Sequence, residues 1–231
     1  MGVLETLTLA LGASWGAGLN LYATAAIIGV LDFMGLVDLP EPLQVLGNPL
    51  VIGVAAILYF IEFFADKIPG LDSVWDAIHT FIRIPAGALM AMGAIDGVNI
   101  GFAPELQTVA ALVGGGAIAA GTHATKAGIR AVINTSPEPV TNWTASFLED
   151  VLVVVGMFFA IFKPIVFLVI FAIFALLAIW IVPKIWRGIQ KVFSSARHPV
   201  HTIKSDPQER MSLSLAQVEA REKIKLEDKS T

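Results

Sequence analysis

From Trp143 to Trp186 the chain runs about 44 residues with Glu149, Asp150, Lys163 and Lys184 as its only charged positions. Crossing ~30 Å of hydrocarbon takes ~20 mostly apolar residues in a helix. The run is therefore too long for one span, and Lys163-Pro164, where the helical hydrogen-bond ladder is interrupted, divides it into two. Few architectures other than membrane-spanning helices accommodate such a stretch.

Four further stretches precede it: about Leu4 to Val30, about Leu50 to Ala65, roughly His79 to Ile100 despite Arg83 and Asp96, and about Leu106 to His123. The predicted fold class is an all-α integral membrane protein of about six transmembrane helices with a charged C-terminal tail. Composition agrees, since 56% of the 231 residues are hydrophobic and only 15% charged, with a mean hydropathy of +0.76, beyond the range of soluble domains. Residues 1–188 are assigned to the transmembrane domain. Residues 189–231 are assigned to a polar cytoplasmic tail, largely disordered or carrying a short surface helix over SLAQVEAREKIKLED.

Charge is segregated: ten of the fifteen Lys and Arg lie from Lys184 onward, and thirteen of the nineteen Asp and Glu lie before it. Nucleic acid is excluded as a partner, because the bases sit beside the last span and not in a basic body with interleaved aromatics. The absence of cysteine excludes disulfides, thiolate catalysis and zinc-thiolate sites. Lys67, Arg83, Lys126, Arg130, Lys184 and Arg187 fall at alternate ends of the spans. The excess of Lys and Arg on cytoplasmic loops then predicts that all six, and both termini, are cytoplasmic.

Two strings recur in order. FFADKIP at Phe63 to Pro69 is matched by FFAIFKP at Phe158 to Pro164, and AGLN at Ala17 to Asn20 by AGTH at Ala120 to His123. Units of three spans, residues 1–100 and 101–188, would insert in opposite senses and form the inverted repeat common among secondary transporters.

Ionisable groups inside a bilayer cost about 2.5–3.5 kcal/mol each on insertion scales and are retained where they face a cavity, a partner or the protein interior. The densest set is Glu62, Asp66, Lys67, Asp72, Asp76, His79 and Arg83. Glu62 and Asp66 share one helix face, and Asp72, Asp76, His79 and Arg83 share another at spacings of four, three and four. Carboxylates of this kind hold hard divalent cations, and imidazole shifts preference toward Mn²⁺ or Zn²⁺. Glu62, Asp66 and His79 are the candidate metal ligands, with a divalent cation as the candidate cofactor. The same groups relay protons equally well. Their bland alternative is a set of structural ion pairs. A second set comprises Asn20, Tyr22, Thr122, His123, Thr125, Lys126, Glu149 and Asp150.

The strings GAGLNLYATAAIIG and FIEFFADKIPGLDSVWDAIHTFIRIPAGALMA resemble a bacterial multi-spanning membrane family, domain of unknown function 4126, over about residues 5 to 185. The resemblance implies a bacterial inner-membrane location and no assigned activity. EFFADK is also similar to the Glu-x-Gly-Asp-Lys-Thr motif of cation/proton exchangers, but its acids lie one residue further apart, its Gly is missing, and FFAIFKP carries neither acid.

Three functions fit. The first is a transporter or channel for a small ion or polar solute, with Glu62, Asp66, Asp72, Asp76, His79, Arg83, Asn20, His123, Lys126 and Glu149 as its binding residues. The second is a structural or assembly subunit, and the third a metal-dependent enzyme acting on a phosphorylated lipid. The partners implied are the lipid bilayer, the transported ion or solute, and further copies of the chain in a homo-oligomer.

Overall fold

A computed structural model of the chain describes residues 2–68, 70–99, 101–134 and 139–196. Residues 1–187 form one compact unit. Beyond Ala196, the predicted tail and its surface helix lie outside the described residues.

Among the described residues the chain is helical. α1 spans Val3–Phe33, and a 3-10 helix spans Glu41–Gly47. They are followed by α2 (Pro49–Ala65), α3 (Leu71–Ile95), α4 (Pro104–Ile133), α5 (Pro139–Phe162) and α6 (Pro164–Ala196). Proline opens α2, α4, α5 and α6, the position where its missing N–H costs nothing and its fixed φ favours the helix. Asn48 caps α2 by accepting from the Leu50 N–H at 2.9 Å. Gly70 turns the chain into α3 at φ 87°, a conformation that glycine adopts without a Cβ penalty.

Among the described residues four helical stretches are long and apolar enough to cross a membrane: Val3–Phe33, Leu71–Ile95, Val140–Phe162 and Pro164–Gly188. The 3-10 helix and α2, bent by 67° against each other, make a fifth when taken together. Six were predicted. α4 has the length, but its Gly, Thr, Gln and His dilute the apolar character.

α1 is not straight. Asn20 has φ −147° and ψ 99°, outside the helical region. A Cβ on Gly16 would lie 2.5 Å from Thr24 Oγ1, whereas eight residues along a straight helix are ~12 Å apart. The chain therefore folds back at Asn20 into two arms, residues 3–19 and 21–33. The far ends of both arms lie toward the C-terminal end of α3. Leu4 and Leu7 share a cavity wall with Ile95 and Gln107. Gly29 packs on Leu46 and Ile52, and Leu43, in the same connection, packs on Gly93.

This reversal sets the described ends of the bundle helices apart. Leu4 lies at the end of the bundle with Ile95 and Gln107, whereas Ile185 packs on Gly128 near the other end of α4.

Close packing around α1 depends on small residues, which let helix backbones approach. A Cβ on Gly18 would come within 2.5 Å of the Ala119 carbonyl, one on Gly87 within 2.5 Å of Ala119 Cβ, and one on Gly156 would strike the Trp15 ring. Ser14 Oγ donates across the α1–α3 contact to the Gly87 carbonyl at 3.0 Å. Leu9, Ala13, Ala17, Ile28, Val153, Met157 and Phe167 complete the apolar core. The outward faces are also apolar, with Leu50, Phe81, Val140 and Ile179 exposed, as a hydrocarbon solvent permits.

Candidate functional site

The break in α1 releases backbone groups that a continuous helix would satisfy. Asn20 takes up one: its Oδ1 accepts from the Ala23 N–H at 2.9 Å, capping the second arm. Its Nδ2 donates to Asp150 Oδ1 on α5 at 3.2 Å. At the end of the first arm the Leu19 carbonyl accepts from Lys126 Nζ on α4 at 3.1 Å. The cation thus meets the negative end of a half-helix dipole.

Lys126 stands within an ion network drawn from four helices and the turn after α2. Its Nζ lies 2.9 Å from Asp66 Oδ2, 3.5 Å from both Glu62 Oε1 and Glu149 Oε2, and 3.6 Å from Asp76 Oδ1. Arg83 joins two helices, donating to Glu62 Oε1 at 2.6 Å and Asp76 Oδ1 at 2.9 Å. Arg130 holds Glu149 bidentately, Nε to Oε1 at 3.1 Å and Nη2 to Oε2 at 2.8 Å. Its Nη1 also donates to Asn142 Oδ1 at 2.7 Å and to the Asp66 carbonyl at 2.9 Å. Asp72 lies 3.9 Å from Arg130 but serves mainly α3 itself, accepting from the Gly70 and Ser73 N–H groups and from Asn134. Glu62, Asp72, Arg83 and Arg130 are fully buried.

The two histidines hold fixed tautomers. Arg83 can only donate, so His123 Nδ1 accepts from it at 3.0 Å and Nε2–H donates to Thr80 Oγ1 at 2.7 Å. The Thr80 hydroxyl in turn donates to the Asp76 carbonyl at 3.0 Å. His79 Nδ1–H donates to the Trp75 carbonyl at 2.8 Å, leaving Nε2 to accept from the Tyr22 hydroxyl at 3.0 Å. The His79 ring also stacks on Trp75.

Five carboxylates therefore share three cations in this network. Glu62 Oε2, Asp66 Oδ1 and Asp76 Oδ2 are buried with no hydrogen-bond partner among the described residues. Beside them lies a cavity of about 210 Å³ whose wall includes Ser73, Asp76, Thr80, His123 and Arg130.

All ten residues proposed from the sequence lie in or beside this arrangement, but not as a metal site. Among the described residues no group of three or more His, Asp or Glu side chains is disposed to hold a metal ion. Of the expected ligands Glu62, Asp66 and His79, the two carboxylates turn to Arg83, Lys126 and Arg130, while His79 engages Tyr22 and Trp75. From the sequence Arg130 counted only among the basic residues at the span ends, although His123, Lys126 and Arg130 at spacings of three and four share one helix face. Asn142, Thr80 and the Leu19 carbonyl carry no such signal.

The family described as a domain of unknown function (DUF4126) matches residues 7–184, nearly all of the compact unit. The chain belongs to that family. None of the curated proteins and none of the solved structures compared with it matches. The match takes in every helix that contributes to the ion network of this DUF4126 chain.

Proposed function

We propose that this DUF4126 protein is a transporter or channel for a small ion or polar solute and that the ion network is its binding site. One observation carries the reading: α1 breaks at Asn20 and delivers a freed backbone carbonyl, Leu19 O, to a buried cluster of carboxylates and cations. Irregular backbone at membrane depth is tolerated where it is buried in protein or lines a cavity, and discontinuous helices form the ion and substrate sites of transporters. At ~1.5 Å per residue the two arms are roughly 25 Å and 20 Å long, short of a ~30 Å hydrocarbon layer, so they form a re-entrant hairpin. Five crossings follow: the 3-10 helix with α2, then α3, α4, α5 and α6.

The network end of the bundle carries the basic residues and faces the cytoplasm across a bacterial inner membrane. An inverted repeat has partial support. FFADKIP and FFAIFKP end α2 and α5, which run in opposite directions. AGLN and AGTH instead lie side by side, with Gly18 against Ala119 and Thr122.

Flux into proteoliposomes is the test, using K⁺, Na⁺, NH₄⁺ and H⁺ gradients and an entrapped pH or cation dye. Flux above that of empty liposomes, lowered at least tenfold by Glu62→Gln in protein that still folds, is the expected result. Flux equal to empty liposomes for every cation would remove an ion-transport role. An assembly subunit is the second reading, favoured by α6: only 6% of its most apolar stretch is buried, which leaves a long face for lipid or for a partner helix. Cross-linking in native membranes that captures a discrete protein partner on α6 would favour it.

A further inference from the structure

Trp15, on the first arm of α1, carries a buried N–H with nothing to bond. The residue is 6% exposed, and its Nε1 has no hydrogen-bond partner among the described residues. A buried tryptophan N–H ordinarily finds an acceptor. Its aromatic neighbours on α6, Phe167 and Phe174, meet it edge to face at ring-centroid distances of 6.3 and 5.9 Å and offer at most a weak π acceptor. The Gly156 position of α5 abuts the indole at Cζ3 and Cη2, so the pyrrole end, which carries Nε1, is turned away from α5.

Trp15 also forms part of the wall of a cavity of about 220 Å³ between α1, α5 and α6, and among the described wall residues it alone has a polar side-chain atom. Phe171 and Phe174 are shared with a second apolar cavity, of about 140 Å³, which continues past Ala178 to Gly121 of α4. Together the two make an elongated apolar space under α6, the least buried of the spanning stretches. None of its wall residues belongs to the ion network.

Shape, chemistry and depth narrow the ligand. An elongated apolar space takes a hydrocarbon chain, phenylalanine walls take a flat ring, and a single N–H takes one oxygen acceptor. Counted from Lys163-Pro164, Phe167 and Phe174 lie roughly 5–15 Å along α6, deeper than the headgroup region that holds a charged phospholipid head.

We propose that this space binds a lipid-soluble quinone, with one ring carbonyl accepting from Trp15 Nε1–H, the ring beside Phe167 and Phe174, and the chain running past Phe171 toward Gly121. The inference is one of binding and is independent of the transport reading.

The test is calorimetric titration of the full chain in detergent, each ligand corrected for partition into empty micelles. The probes are decylubiquinone, decylbenzene as a ring and chain without a carbonyl, dioleoylglycerol as a carbonyl lipid without a ring, and phosphatidylglycerol. Saturable binding of decylubiquinone is expected, weakened about tenfold by Trp15→Phe, the worth of one buried hydrogen bond. Val155→Trp, which fills the cavity from a partly exposed wall position, should abolish it. Decylbenzene should not distinguish wild type from Trp15→Phe.

Absence of saturable binding, or equal decylubiquinone affinity in wild type and Trp15→Phe, would overturn the proposal. Displacement of decylubiquinone by an equal concentration of phosphatidylglycerol would mean that the space holds ordinary lipid chains and would overturn it too. Tighter binding of dioleoylglycerol, lost in Trp15→Phe, would give the site to a glyceride and refute the quinone. Should Trp15→Phe not fold, Val155→Trp decides, and unchanged decylubiquinone binding in that variant would refute the site.

Discussion

Arg83 is the residue on which the network turns, since it links Glu62 of α2, Asp76 of its own helix and His123 of α4 while fully buried. Removing one partner of a buried pair leaves the other charges uncompensated, at a cost of about 3–5 kcal/mol. Arg83→Leu is accordingly expected to lower Tm in detergent by about 10 °C, with ~2–4 °C lost per kcal/mol in a chain of this size. Arg83→Lys, which keeps charge but cannot fork between two carboxylates, should fall between the two. A loss below about 2 °C for Arg83→Leu would mean that water reaches the network. At this scale the sequence was informative. Glu62, Asp66, Arg83 and Lys126 stood out because ionisable groups are rarely placed in apolar surroundings without a role. Which of them pair was not legible, because the pairing joins residues up to 64 positions apart, and so Glu62 and Asp66 were read with His79 as metal ligands, with ion pairs as the alternative.

Among the elements, α1 departs furthest from expectation. The stretch from Leu4 to Val30 reads as one long span, mostly apolar on both sides of Asn20. Two hints were present: the run exceeds the ~20 residues a span needs, and an Asn flanked by Gly-rich sequence sits inside it. Neither specifies a reversal, which depends on Thr24 fitting against Gly16 and on Lys126 capturing the Leu19 carbonyl. Asn20→Ala removes the cap on Ala23 and the bond to Asp150. It should cost about 1–2 kcal/mol, measured as faster amide exchange in residues 18–24 than in α5. Gly16→Val should be worse, since its side chain would occupy the place of Thr24. Uniform exchange across α1 in both variants would show that the break does not depend on these contacts. The starts of α2, α4 and α6, beside Pro49, Pro104 and Pro164, lie close to expectation, whereas α5 begins at Pro139 and not at Trp143 and α3 at Leu71 and not at His79.

For the molecule as a whole, membrane character followed from composition, whereas the path of the chain did not. A reversal in α1 takes that helix out of the crossings, so the six spans counted from hydropathy and charge exceed by one the five proposed above. The central claim, that α1 folds back and places its apex at the ion network, can be measured as a distance. The chain has no cysteine, so nitroxide labels at Leu4→Cys and Val30→Cys report on α1 alone by double electron–electron resonance. A separation of ~25 Å or less, about two packed helices, is predicted. A narrow distribution near 39 Å, the value of roughly 1.5 Å per residue along an unbroken helix, would contradict the fold-back and the site built upon it.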